Sequence, residues 1–341
     1  MPNIDAQICY LLRFPDPVEK SSEPLEKIQG LKDAPYFQPV DISVRTLEQA
    51  QIQAGGLDVA VSRQRYDNRI QIIECKFPLR DVLDQEAIQK RGQIENALRL
   101  ALIPEELTKS GVFEEYIILM ISAVDTTDEF VDSNAQELAH FLRTQRENLV
   151  EAEVKEILGS RIRYSEDDLT IVDWEGAIII APDGDFQSDI ELLKIGNYQL
   201  LRYRILDQDV ENSLRNIAEK FYKNPRRALR PGPTRGRIQR IVQQRLELMF
   251  DFAHTDQNLL LIGDWYTAKL YGMIRSELYL DHWKEAVHAK LDNMESIIDT
   301  IQENFSLSWS ALMDLGQLIG WIILLIGYFV MFFIDIGYYV K

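Results

Sequence analysis

Three charged side chains carry the clearest hint of chemistry in this chain. Asp58 sits in "LDVAVSR", and Glu74 and Lys76 sit in "RIQIIECKF", two strand-like runs joined by the turn-rich "QRYDN". Glu74 and Lys76 are two residues apart, so they share one strand face. Two carboxylates can hold a divalent cation beside a phosphodiester, and a nearby lysine can assist the attacking water. The chemistry would be Mg2+-dependent phosphodiester cleavage. Glu48, expected on a helix over Thr46 to Ala54 that stops at Gly55-Gly56, would be a further ligand. An ion pair on a wet strand face accounts for Glu74 and Lys76 equally well, with no metal.

An acidic residue followed on the next strand by Glu-x-Lys resembles the restriction-endonuclease-like nucleases. The Pro-Asp dipeptide of that pattern is absent, because Leu57 precedes Asp58. Other catalytic patterns are missing. His140, His254, His282 and His288 have no i, i+4 pairing, and Gly55-Gly56 lacks the lysine of a phosphate loop. Cys9 and Cys75 are too few for a disulfide framework or a structural zinc site. No resident cofactor is expected, and no small-molecule ligand is identifiable.

"QICYLLRF" is a first strand, a short helix is expected around Pro24 to Leu31, and "EYIILMISAV" is a buried strand. Val82 to Leu102 has helical spacing, and Asn134 to Leu158 reads as one long amphipathic helix. "DLTIVDW" and "AIIIA" are strands, "PDGD" is a turn, and the chain is helical from Ile190. The expected fold is an α+β N-terminal domain (1–185), a helical stalk (186–310) and one C-terminal transmembrane helix (311–341).

The tail gives the strongest signal. "LGQLIGWIILLIGYFVMFFI", Leu315 to Ile334, passes twenty residues without a charge, roughly 30 Å of helix at about 1.5 Å per residue. Gly316, Gly320 and Gly327 fall on one stripe, and the first pair has the G-x-x-x-G spacing that lets helices approach in lipid. Lys and Arg are nearly absent around the span, so the expected orientation, with the N-terminal domain cytoplasmic, rests on the absence of an export signal. Apolar positions from Trp283 to Phe305 step by three and four, as in a coiled coil or in a helix packed on a hairpin partner over Ile238 to Phe250.

Net charge is −17, which disfavours sequence-blind nucleic-acid binding by the whole chain. The window Lys220 to Arg245 is different: nine Lys or Arg and no acid, within it the linker 223–236. Arg226, Arg227, Arg230, Arg235 and Arg237 would meet anionic lipid headgroups, RNA or the acidic face of a neighbouring subunit.

Glu137 to Pro182, with "RYSEDDLTIVDW" at its centre, and "LLKIGNYQLLRYRILDQDVENSL" resemble a family of uncharacterised bacterial membrane proteins. That family is similar in turn to the "required for meiotic nuclear division" proteins, whose mitochondrial members are inner-membrane proteins that form large complexes and support mitochondrial translation. The resemblance implies a soluble-side α+β domain, oligomerisation and no catalytic residues to carry over. The Gly-x-x-Val-x-Trp run of the mitochondrial branch is absent. The expectation that results is a non-enzymatic, self-associating, single-pass scaffold or sensor. The alternative is a membrane-tethered nuclease using Asp58, Glu74 and Lys76.

Overall fold

The computed structural model describes residues 5–16, 26–27, 42–122, 124, 126–143, 149–222, 242–243, 246–250, 252–253 and 265–339. The basic-window residues Arg226, Arg227, Arg230, Arg235 and Arg237 lie outside these. Two compact units are present: Met1–Asp207 with Phe252–Ala286, and Gln208–Asp251 with Val287–Lys341.

The first unit is built on a nine-stranded mixed sheet. Its strands are β1 (Asp5–Pro15), β2 (Glu26–Lys27), β3 (Ser43–Ala54), β4 (Leu57–Tyr66), β5 (Ile70–Arg80), β6 (Glu114–Ile121), β7 (Arg161–Ile162), β8 (Leu169–Val172) and β9 (Gly176–Ile180). They lie in the order β2-β3-β4-β5-β1-β6-β9-β8-β7. β6 and β9 run parallel and the other described pairs antiparallel.

Two expected helices are strands. Thr46 to Ala54 belongs to β3, and Glu26–Lys27 pairs with Val44 and Ser43 rather than forming a turn of helix. The cause is the turn chemistry that follows. Gly55 and Gly56 both take positive φ (57° and 78°), and so do Asp67 and Asn68 (48° and 55°). Gly55-Gly56 is a two-residue connection with both residues at positive φ, the tight hairpin turn whose twist matches paired strands, and Asp67-Asn68-Arg69 is a three-residue connection that begins with the same two positive φ values. They fold β3, β4 and β5 into a meander, and that pairing overrides the helix preference of Leu47, Glu48, Gln49 and Ala50.

Helices cover both faces. On one face β1, β4, β5, β6, β8 and β9 present Ile8, Tyr10, Val59, Phe77 and Leu119 to α1 (Gln85–Leu102), α3 (Thr127–Ser133), α4 (Ala135–Arg143) and α5 (Glu151–Ile157). α2 (Glu105–Ser110) links α1 to β6. The other face packs Cys9, Leu11, Ile72, Ile118 and Ile179 against α6 (Gln187–Tyr222) and α7 (Trp265–Glu277). β1, buried on both faces, is the apolar run that its sequence predicts.

The single helix expected over 134–158 is interrupted. Val150 is extended (φ −71°, ψ 149°), and Gln136 Nε2 donates to the Leu149 carbonyl at 3.1 Å, a side-chain partner in place of a helical amide. α6 lies close against α7. A Cβ on Gly196 would stand 2.3 Å from Ile274 Cγ2, inside any real contact. Although alanine has the better helix propensity, Gly196→Ala is expected to cost about 1–3 kcal/mol through forced repacking, measurable by thermal denaturation.

The last helix, α8 (Leu280–Tyr339), belongs to the second unit from Val287 onward and carries the apolar seam into the tail. Val287, Leu291, Met294 and Ile298 are buried within one chain, and Lys290 Nζ pairs with Glu211 at 3.4 Å. These four positions of the seam are therefore covered within the chain itself. Met313–Met331, apolar apart from Asp314 and Gln317, is exposed along its whole length and is long enough to cross a bilayer. Open space surrounds Gly316, Gly320 and Gly327.

Candidate functional site

β5 alternates Ile70, Ile72 and Glu74 toward α6 with Ile73, Cys75 and Phe77 toward α1. Glu74 thus does not lie on a wet face. It is 8% exposed, and the first turns of α6 roof it. Lys194, 1% exposed, reaches down from that helix. Its Nζ donates to Glu74 Oε2 at 2.9 Å and Gln64 Oε1 at 3.0 Å, and pairs with Glu191 Oε1 at 2.6 Å. Lys76 Nζ takes the other Glu74 oxygen at 2.7 Å and donates to Gln187 Oε1 at 3.3 Å.

A charge this deep is tolerable only if it is paired and hydrogen-bonded. Burial alone would push the Glu74 carboxyl up. The Lys194 and Lys76 ammoniums outweigh burial and hold it below its ordinary value. For Lys194, burial acts downward, while Tyr66, Glu74 and Glu191 act upward and prevail. Both groups are charged across the neutral range.

Beside this network the sheet face carries a shallow, wide-mouthed hollow of about 440 Å³, lined by Gln49, Gln51, Ala60, Ser62, Glu74 and Lys76 among others. The register pairs Ser62 with Glu74 and Ala60 with Lys76. Asp58 is on the same face, but four residues along from Ser62, roughly 13 Å at about 3.3 Å per residue. There it accepts a hydrogen bond from Gln53 Nε2 at 3.1 Å. Glu48, on β3 rather than a helix, pairs with Arg63 at 3.4 Å. The fold brings Glu74 and Lys76 together and leaves Asp58 apart. Among the described residues no group of three or more His, Cys, Asp or Glu could hold a metal ion.

Lys194, Gln64 and Glu191 escape a motif search because they match no catalytic pattern. A signal does exist. Lys194 falls among Leu192, Leu193, Ile195, Leu200 and Leu201 in "IELLKIGNYQLL", and a lysine on the apolar side of a helix must find a carboxylate. With Glu74 retained by Lys194, Lys76→Ala is expected to cost less than about 1 kcal/mol. Incubation of labelled DNA or RNA with Mg2+ should give the same background for this variant and the wild type. Cleavage by the wild type that is lost in Lys76→Ala would reinstate a catalytic role.

The family model described as "Uncharacterized protein MJ0711, N-terminal domain" matches residues 18–187, just under half of the chain. The uncharacterised protein MJ0711 of Methanocaldococcus jannaschii is 25% identical over 211 residues, 62% of this chain and 64% of its own length. No solved structure matches. The chain is therefore similar to an archaeal protein of unassigned activity, and the region matched by the family model takes in Glu74 and Lys76 but ends before Lys194.

Proposed function

We propose that this protein is a non-enzymatic, single-pass, C-terminally anchored membrane protein whose sheet unit, on the cytoplasmic side, acts as a scaffold or sensor. The observation that carries the reading is the fully exposed apolar stretch of α8. From Leu315 to Met331 the large side chains, Trp321, Leu324 and Phe329 among them, stand in the open rather than in a core. A soluble protein rarely leaves an apolar patch of that extent uncovered, whereas in a bilayer it is matched by hydrocarbon. The stripe of Gly316, Gly320 and Gly327 supports self-association in lipid, and the basic window around Arg226, Arg227 and Arg230 supports contact with anionic headgroups. The non-enzymatic part of the reading draws support from the Glu74–Lys194 network, whose charges are already spent on one another.

The test is fractionation. Full-length protein in lysed cells should remain in the membrane pellet after alkaline carbonate washing and enter the supernatant only with detergent. Recovery in the carbonate supernatant would remove the anchor from the proposal.

A further inference from the structure

Beyond the two residues of β2, the strand β3 is an edge of the sheet. Its outer side has β2 beside it at Ser43 and Val44, paired with Lys27 and Glu26. From Thr46 to Ala54 no strand lies there among the described residues, so a row of backbone N–H and C=O groups faces outward. Natural sheets guard such edges with lysine, proline, bulges or short strands, because an open edge accepts a strand from another chain. Here the strand is twelve residues long. Its stretch Glu48–Ala54, "EQAQIQA", holds no lysine, arginine or proline, and a single acid at one end.

This edge is already ordered. The register with β4 shifts between Thr46 and Glu48, which sets a bulge at Leu47. After it, Glu48 to Ala54 pair without interruption with Arg63 to Leu57. Ala54 is buried, and Ile52 packs against the core on the α1 side of the sheet. A Cβ on Gly55 would stand 2.6 Å from Ile94 Cγ1, so the turn that ends the strand is pressed against α1. A strand held in this way loses little further freedom when another pairs with it.

We propose that a second copy of this chain occupies the edge, its β3 pairing antiparallel with the first over Glu48–Ala54 about a two-fold axis through Gln51. The uninterrupted stretch has Gln51 at its centre, and the sequence matches itself in that register. Gln51 meets its own copy, Gln49 meets Gln53, Ala50 meets Ile52, and Glu48 meets Ala54. Residues directly opposite one another share a sheet face and interact. The glutamines therefore meet on the face of Glu74 and Lys76, and Ala50 meets Ile52 on the α1 face. Like charges stay apart: the two copies of Glu48 lie six residues from one another, roughly 20 Å at about 3.3 Å per residue. This self-matching favours a copy of the chain over an unrelated strand. Seven paired residues make a small interface, and a shared membrane raises the effective concentration of one copy at the other. To that extent the inference rests on the anchor, and it goes further in placing a contact within the sheet unit.

The test is disulfide trapping of full-length Gln51→Cys in native membranes, oxidised with copper phenanthroline and resolved on non-reducing gels, the adduct identified by mass spectrometry. Opposed Cα atoms in an antiparallel pair are roughly 4.5–5.5 Å apart, within disulfide reach. Gln51→Cys should form a homodimer about tenfold faster than Gln53→Cys, whose own copy would lie roughly 13 Å away. Wild type, with Cys9 and Cys75 buried, should form none. Gln49→Lys with Gln53→Lys sets like charges opposite each other across the two-fold and should slow the Gln51→Cys link about tenfold. Gln49, Gln51 and Gln53 are exposed, so these changes leave the core untouched. Absence of the Gln51→Cys dimer, in whichever fraction carbonate washing leaves the protein, would overturn the pairing. So would equal rates at Gln51→Cys and Gln53→Cys, an adduct to a different protein, or a link that the two lysines do not slow. Release by carbonate with the dimer intact would overturn the anchor alone.

Discussion

Lys194→Met is expected to destabilise the first unit by about 3–5 kcal/mol, seen as a lower denaturant midpoint for the full-length protein in detergent. The substitution keeps most of the side-chain volume and removes the ammonium, leaving Glu74 and Glu191 facing one another under α6 with Lys76 alone to compensate. Adding Glu74→Leu should recover most of the loss, because replacing a buried pair by apolar groups is far less costly than orphaning one member. The pH dependence follows from the signs. Glu74 is depressed in the fold, so its contribution is complete above the unfolded carboxylate value, about 4.3, and disappears as pH falls through its folded value. Lys194 is raised, so its contribution is complete below about 10.4 and disappears as pH rises through its higher folded value. The wild-type advantage over Lys194→Met should therefore be flat between roughly pH 5 and 10 and shrink on either side. A variant as stable as wild type at pH 7 would show that the network contributes nothing.

Two arginines in the tail should have the other large effect. Ile322→Arg with Leu325→Arg places both charges near the middle of the exposed apolar stretch, at about 3 kcal/mol each on the insertion scale. The doubly substituted protein is expected to leave the carbonate-washed pellet that retains the wild type. If both proteins pellet identically and both dissolve in detergent, the association does not run through this helix.

Much of this architecture is legible in the sequence, and the failures have physical causes. β1, β5 and β6 are apolar on both faces and read correctly because helices cover the sheet on both sides. β3 misleads because it is half exposed and rich in Leu, Glu, Gln and Ala, so local propensity points to a helix while the Gly55-Gly56 turn fixes a strand. The 134–158 helix misleads because its apolar spacing continues across a break that a side-chain bond from Gln136 stabilises. The candidate site is legible only in part. Glu74 and Lys76 are neighbours by strand period, whereas the partner that decides their role, Lys194, is 120 residues away and joins them only when α6 docks. Arg13 and Glu114, 101 residues apart, are likewise brought together by the β1–β6 pairing.

The two cysteines gain a use from this layering. Cys9 and Cys75 are one register step apart on adjacent strands, yet Cys9 faces α6 and α7 while Cys75 faces the layer that includes α1. Burial drives both thiols upward in pKa, away from the reactive thiolate. An alkylating reagent must therefore wait for one side of the sheet to open. The ratio of the two labelling rates becomes a stopwatch that times the release of each helical blanket separately, with no engineered probe.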